Sequence, residues 1–422
     1  MYPNFALRFL FALILLLAAS GTATAESRRF CFEPPHNTLC PHFPQDQRDF
    51  SAFFEYRVIS APAQDPFDEY AWQAFVALGW SDVAADWEPA KASWRTFSRR
   101  ADILPSTDAC SGIARGSETV VASHLQSDGN VLIDQHGNFI VFETRLNQTV
   151  ETHILDHSLD SAAGRAQHGI AFPSGIDATR PASTLIKTAW RILPQPDPDY
   201  VMADGLIAIP AAASVSGIAT CRPARLGLVG MHIVTKVTSG HGDKWIWSTF
   251  EHRANAPEAA NAREINSLYA KDLFPGGCQS PQNTAAALLH DPDCPDCIPN
   301  APHIGPALWA GKPPFAVSAD GRPLQPAQIT RCWKIFGPTR STNSIWQAML
   351  GTSPLANYML ISSQWRGANP DPIFPDGELP RYLTNTTMES FLQTDTSGTC
   401  LGCHATARTP EGAPADFTFL FR

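Results

Sequence analysis

Cys400, Cys403 and His404 stand together in "SGTCLGCHATA", residues 397–407. Their C-x-x-C-H spacing is that of covalent haem attachment. The two thiols reach the two vinyl groups of the macrocycle as thioethers, and the histidine that follows is held beneath the iron. A redox dithiol needs no adjacent histidine. A zinc site needs a second ligand pair at a set spacing, for which the short stretch after His404 leaves little room. One covalent haem c is therefore the expected cofactor, with Cys400 and Cys403 as thioether cysteines and His404 as the proximal iron ligand.

A second stretch carries chemistry: "LGLVGMHIVTKVTSGHGDKWIWSTFEHR", residues 226–253, reads as two strands around a Gly-rich turn. The two-residue period puts His232, Val234 and Lys236 on one face of the first strand, and Trp245, Trp247, Thr249 and Glu251 on one face of the second. If the turn pairs Lys236 with Trp245, the two faces coincide as a wall of indoles carrying a histidine, a lysine and a carboxylate. Tryptophans in number on a solvent face are uncommon, so something covers this wall. A haem is one candidate cover. Trp247 would then lie against the cofactor, and Lys236 and Glu251 become candidate catalytic groups placed to move protons. The rival reading is an interface strand pair whose polar groups face water. For the far side of the iron His232 leads. His252, which points away from Glu251 by the same period, and Met388 are the alternatives, and Met359 is a further one. His153 and His157 lie one helical turn apart in "THILDH" but lack the glutamate of H-E-x-x-H, so they read as an ordinary surface helix.

Haem attachment needs a suitable compartment. Arg8, the apolar run 9–19 and Ala23-Thr24-Ala25 form the pattern of a cleavable export signal, with the mature chain starting at Glu26 and destined for the periplasm or beyond. No other stretch is apolar enough to cross a membrane. The formal charge is −9, and it becomes more negative when Arg8 leaves. A polyanion repels nucleic acid and anionic lipid, so the expected partners are a redox protein or a small-molecule ligand. Eight cysteines stand outside the motif, an even number that predicts disulfides in an exported chain. Cys31 is expected to pair with Cys40 and Cys110 with Cys221. Cys278, Cys294, Cys297 and Cys332 pair among themselves. "CPDCI" is a second C-x-x-C, but Ile298 replaces the histidine, so it reads as a structural disulfide.

The elements that must position these residues follow from periodicity and turn chemistry. The pattern predicts an amphipathic helix over 67–80, a hairpin over 130–147, a helix over 150–164 and a half-buried strand over 184–193. Further on come a helix over 262–274, a helix over 343–350 capped by Ser341 or Thr342, and a strand over 357–365. A short helix over 384–393 then leads into the motif, and a closing strand carries Phe417, Phe419 and Phe421. With 36 prolines and 17% charged residues, the chain reads as α+β, an antiparallel-sheet core with peripheral helices and long disulfide-tied loops. The expected organisation is a signal peptide (1–25), an irregular N-terminal wrap (26–66), a β-rich main domain (67–383) and a haem-attachment segment (384–422) packed on it.

The C-terminal "SGTCLGCHATA…ADFTFLF", the preceding "NTTMESFLQ" and the hairpin "MHIVTKV…KWIWSTFEHRANAPE" resemble a family of large exported monohaem cytochrome c proteins. The hairpin and Asp416-Phe417-Thr418-Phe419 are also similar to the β-sheet cytochromes c′ and to hydroxylamine-oxidising cytochromes with a lysine–haem cross-link. This chain is longer than those and has extra cysteines, so neither cross-link nor substrate carries over. The resemblance implies a periplasmic c-type cytochrome acting in electron transfer. The alternative is a haem enzyme, or a binder of a small ligand such as NO, peroxide or a hydroxylamine-like molecule, with an open iron position. A third reading gives haem only a structural role. A simple electron carrier shields its haem with about 100 residues, and the much longer chain here favours a built pocket or docking surface.

Overall fold

The computed structural model describes residues 39, 43–44, 61–80, 92–104, 109–110, 112–126, 128–175, 179–239, 242–265, 274, 276–281, 283–294, 296–365, 380, 382–395 and 398–422. The expected signal peptide, Cys31 and Cys40 lie outside the described residues. The fold is α+β, with sheet at its centre.

The sheet has eight strands. Its spine is β6 (Thr220–Ser239), which carries Arg222 and Arg225 at its start and is mostly apolar from Leu226 to Val237 except at His232 and Lys236. Along one edge β6 pairs with β4 (Thr184–Ile192). Along the other it pairs first with β5 (Met202–Ile209) and then with β7 (Gly242–His252). β3 (Val141–Leu146) and β1 (Ser98–Arg99) extend the β4 side, β12 (Tyr358–Gln364) adds to β7, and β2 (Val120–Ala122) adds to β5. All these pairings are antiparallel except β2 with β5. The expected 226–253 hairpin forms, and its register does pair Lys236 with Trp245. The 130–147 stretch also doubles back, through the bridge of Ile133 with Phe139. β4 differs from the half-buried reading: only Lys187 and Arg191 are less than buried, because both faces of the sheet are covered.

One cover is α1 (Ala61–Leu78), which packs with α5 (Gly337–Leu350). The expected amphipathic helix is in fact enclosed nearly all round from Phe67 onward. Trp72 stacks on Trp346 with ring centroids 6.0 Å apart, and Phe75 stacks on Phe250 at 4.2 Å. α5 begins ahead of the expected caps, after Phe336, with a proline in its first turn. Ser341 lies inside the helix and bonds back to the Gly337 carbonyl.

The 150–164 region is helical in two pieces, α3 (Gln148–Asp156) and α4 (Ala162–His168), whose N-caps are Asn147 and Ser161. Of the expected 262–274 helix, residues 262–264 belong to strand β8 (Glu258–Glu264) and 266–273 lie outside the described residues.

The C-terminal segment lies against the hairpin, where Leu401, Ala407, Ala415, Leu420 and Phe421 pack with Val234, Trp245 and Trp247. The 384–393 helix is not formed. Asn385 bonds the Thr387 N–H and sends its own amide to Thr249 and the Phe250 carbonyl, so side chains displace helical bonding. The closing strand is also absent. Residues 415–418 make a turn closed by the Thr418 N–H on the Ala415 carbonyl. Among the described residues here the one regular element is α6 (Cys400–His404), a single turn that carries the motif.

Among the described residues, three disulfides join Cys110 to Cys221, Cys278 to Cys332 and Cys294 to Cys297. The first is the expected pair, and the other four cysteines do pair among themselves. Among the described residues, no helix is long and apolar enough to cross a membrane.

Candidate functional site

The register aligns side chains across four strands on one face of the sheet. Thr144, Lys187, His232 and Thr249 form one row, and Leu146, Leu185, Val234 and Trp247 form the next. Opposite these rows sits α6. Between them lies a cavity of about 560 Å³, walled by Leu185, Lys187, His232, Val234, Trp247, Glu389, His404 and Phe419. That volume falls within the size range of cofactor sites, about 300–1,000 Å³.

His404 packs its ring between Trp247, 4.1 Å away, and Phe419, 4.9 Å away. Its Nδ1 donates to the Phe417 carbonyl at 2.7 Å, which fixes the tautomer and leaves Nε2 as the lone-pair nitrogen. Burial pushes the ring's pKa down to about 4, against the opposing pull of that hydrogen bond. At neutral pH the imidazole is thus uncharged and able to ligate a metal. Cys400 and Cys403 remain thiols. Neither lines the cavity as its neighbour His404 does: Cys400 packs at the edge of two apolar clusters, and burial first, and then the nearby Glu389 carboxylate, hold the Cys403 thiol pKa above its ordinary value.

His232 faces the cavity, and its Nε2 lies 2.9 Å from Glu389 Oε1. Its Nδ1 is buried and meets no hydrogen-bond partner, and the same holds for the Trp247 indole N–H. Burial works to raise the Glu389 carboxyl, but His232 and Lys187 outweigh it and hold the pKa below its ordinary value. Burial lowers the Lys187 ammonium, while Glu389 opposes that shift. A histidine anchored by a carboxylate through one nitrogen, with the other orphaned, has the form of a metal ligand. The donor set, the neutral His404 and a lining in which Leu185, Val234 and Phe419 stand beside the charged Arg99, Arg100 and Arg422 would fit a haem, whose ring is apolar and whose propionates are anionic. A bare ion fits less well, since among the described residues no group of three or more His, Cys, Asp or Glu is arranged to hold one.

The other expected residues go elsewhere. Lys236 ion-pairs with Asp416 at 2.7 Å and lines no part of the cavity. Glu251, fully buried, is taken up by Arg331 at 3.1 and 2.6 Å and by Thr386 at 2.7 and 2.5 Å. Both hold the structure, so neither is placed to move protons in the cavity. His252 spends both nitrogens, one on the Asp199 carbonyl and one on the Ala254 N–H, and stacks on Tyr200. Met388 is buried in a separate apolar cluster with Leu132, Ile140 and Ala189, and Met359 packs in another. Neither sulfur lines the cavity. The tryptophan wall is covered, but largely by the chain itself: Trp245 bonds Asp416 at 3.2 Å, and Trp247 alone reaches the cavity. His153 lies on α3 and His157 caps its C-terminus, with ring centroids 4.5 Å apart, outside the cavity.

Lys187 and Glu389 escape a reading by motif. The trace of Lys187 is a cation, one of two with Arg191, inside the largely apolar strand β4. That of Glu389 is the one carboxylate in the neutral run "TNTTMESFLQ".

Comparison with known proteins finds no match: no family model, no curated protein and no solved structure is similar to this chain.

Proposed function

We propose that the chain is an exported c-type cytochrome, with one haem bound through Cys400 and Cys403 and ligated by His404, acting in electron transfer. The observation that carries this reading is the state of His404. It follows two thiols at haem-attachment spacing, it is held neutral by burial, and its Nδ1 is locked to the Phe417 carbonyl so that Nε2 is left for a metal. Disulfides support an oxidising, extracytoplasmic compartment. A bound haem supplies an iron that exchanges electrons between ferrous and ferric forms. The chain's part is to exclude water with Leu185, Val234 and Phe419, to orient the His404 ring between Trp247 and Phe419, and to set the polarity of the opposite wall.

That wall supports a second reading. His232, Glu389 and Lys187 gather at one end of the cavity, where they can hold or move a proton beside a small ligand. His232 discriminates the two. In an electron carrier His232 would help to hold the iron, and in a haem enzyme or ligand binder it would instead stand beside the small ligand.

The test is expression in a host with haem-maturation machinery. The haem colour should stay with the chain through denaturing electrophoresis and vanish in Cys400→Ala/Cys403→Ala. Extraction of the haem from the wild type into acidified acetone would overturn the proposal. The ferrous spectrum with and without carbon monoxide separates the two readings, because an open position binds the gas and changes the spectrum.

A further inference from the structure

The turn that receives His404 has an unusual backbone. Its two central residues, Asp416 and Phe417, have φ of +47° and +62°. Positive φ at both positions suits a mirror-image turn, in which Gly, Asn and Asp predominate. An aromatic residue there is an outlier, and such conformations persist only where the surroundings over-determine them.

The surroundings here are specific. The Asp416 carboxylate accepts from Lys236 Nζ at 2.7 Å, from the Phe172 backbone N–H at 2.8 Å and from the Trp245 indole at 3.2 Å. The Lys236 ammonium also lies over the Trp245 ring, 5.7 Å from its centroid. Both partners of the ion pair are largely shielded, with side-chain exposures of 9% and 14%. One residue further on, the Phe417 carbonyl takes the Nδ1 proton of His404.

From this geometry we infer that Lys236 and Asp416 are positioning residues for His404. They clamp the left-handed turn, and the turn aims the carbonyl that selects the imidazole's tautomer and orientation. This inference rests on the reading of His404 as the iron ligand for its consequence, although not for its structural content. The effect travels through the backbone. The charged groups that act on the His404 ring are Lys187, Glu389 and His232, and Lys236 and Asp416 are not among them. The clamp gives the lysine of the Val-Thr-Lys strand a role other than proton transfer. Because a bond from Nδ1 raises the basicity of the ligating nitrogen, loosening the clamp lowers that basicity and favours the ferrous state.

The test uses Asp416→Gly and Lys236→Met. Glycine keeps positive φ accessible and removes only the anchor; the lysine change leaves the turn's own sequence intact. In the full-length haem-free chain, nitrogen-15 NMR of labelled histidine at neutral pH should show a single Nδ1–H tautomer for His404 in the wild type. Both variants should show mixed tautomers, and Lys236→Arg should restore the single form. In the haem-loaded protein, the same two changes should raise the reduction potential. Variants that lose thermal stability while keeping one tautomer and an unchanged potential would overturn the inference. A wild type that carries no covalent haem, with the tautomer still mixed in the variants, would sink the haem reading and leave the clamp standing.

Discussion

At the scale of single residues, the site turns on which nitrogen of each histidine is spent. His404 spends Nδ1 on Phe417, His232 spends Nε2 on Glu389, and His252 spends both of its nitrogens on backbone groups. In the haem-loaded protein, His232→Ala should therefore shift the absorption spectrum, whereas His252→Ala should leave it unchanged while lowering stability. An unshifted spectrum in the His232 variant would remove that residue from the iron's surroundings. The motif itself is legible in sequence because its spacing is its chemistry. The opposite wall is not, because Glu389 reaches His232 only through turns that Asn385 and its threonines impose by side-chain bonding. Lys236 and Glu251 were legible as members of one face, but period says nothing about the partners that consume them. Arg331 and Asp416 arrive from distant parts of the chain.

At the scale of elements, strand period and turn chemistry carry the hairpin of β6 and β7 down to its register, since a slip of one residue would turn every tryptophan to the wrong face. The helix α1 is legible in place but not in surroundings, and those surroundings set its electrostatics. Burial raises the Asp68 carboxyl from 3.8 to about 8, with Thr339 and Gln64 bonds opposing, and raises Glu69 from 4.5 to about 7 against the bond from Trp346. A carboxyl with a raised folded-state pKa stays protonated in the fold at a pH where the unfolded chain ionises. It therefore weakens the fold progressively as pH climbs from the unfolded value, and the loss levels off above the folded one. Asp68 thus contributes a stability loss that grows with pH through its window of 3.8 to about 8. Asp68→Asn should flatten the fall in the urea midpoint between pH 5 and pH 8 (about the window of that shift). An unaltered slope in that variant would show that Asp68 ionises freely in the fold.

At the scale of the whole molecule, the disulfides divide by the loops they close. Cys110 and Cys221 are 111 residues apart, whereas Cys294 and Cys297 are 3 apart. In the chain-entropy account the longer loop restrains the unfolded state more. Cys110→Ala/Cys221→Ala should cost about 2–5 kcal/mol by urea titration, and Cys294→Ala/Cys297→Ala distinctly less. Equal losses would rule out loop closure as the source. The spine of the sheet has a consequence of a different kind, in time. Residues 226–235 of β6 have a strand neighbour on each edge for nearly their whole length, whereas the backbone around α6 bonds in local turns and is held to the sheet by side chains, the Asp416 bonds and an apolar seam among them. Local opening draws on the least bonded parts of a fold first. Amide protons in the middle of β6 should then be the slowest to exchange with deuterium, and those of 398–422 should exchange earlier. The two thiols can thus be uncovered and re-covered many times while the wall that faces them never comes apart.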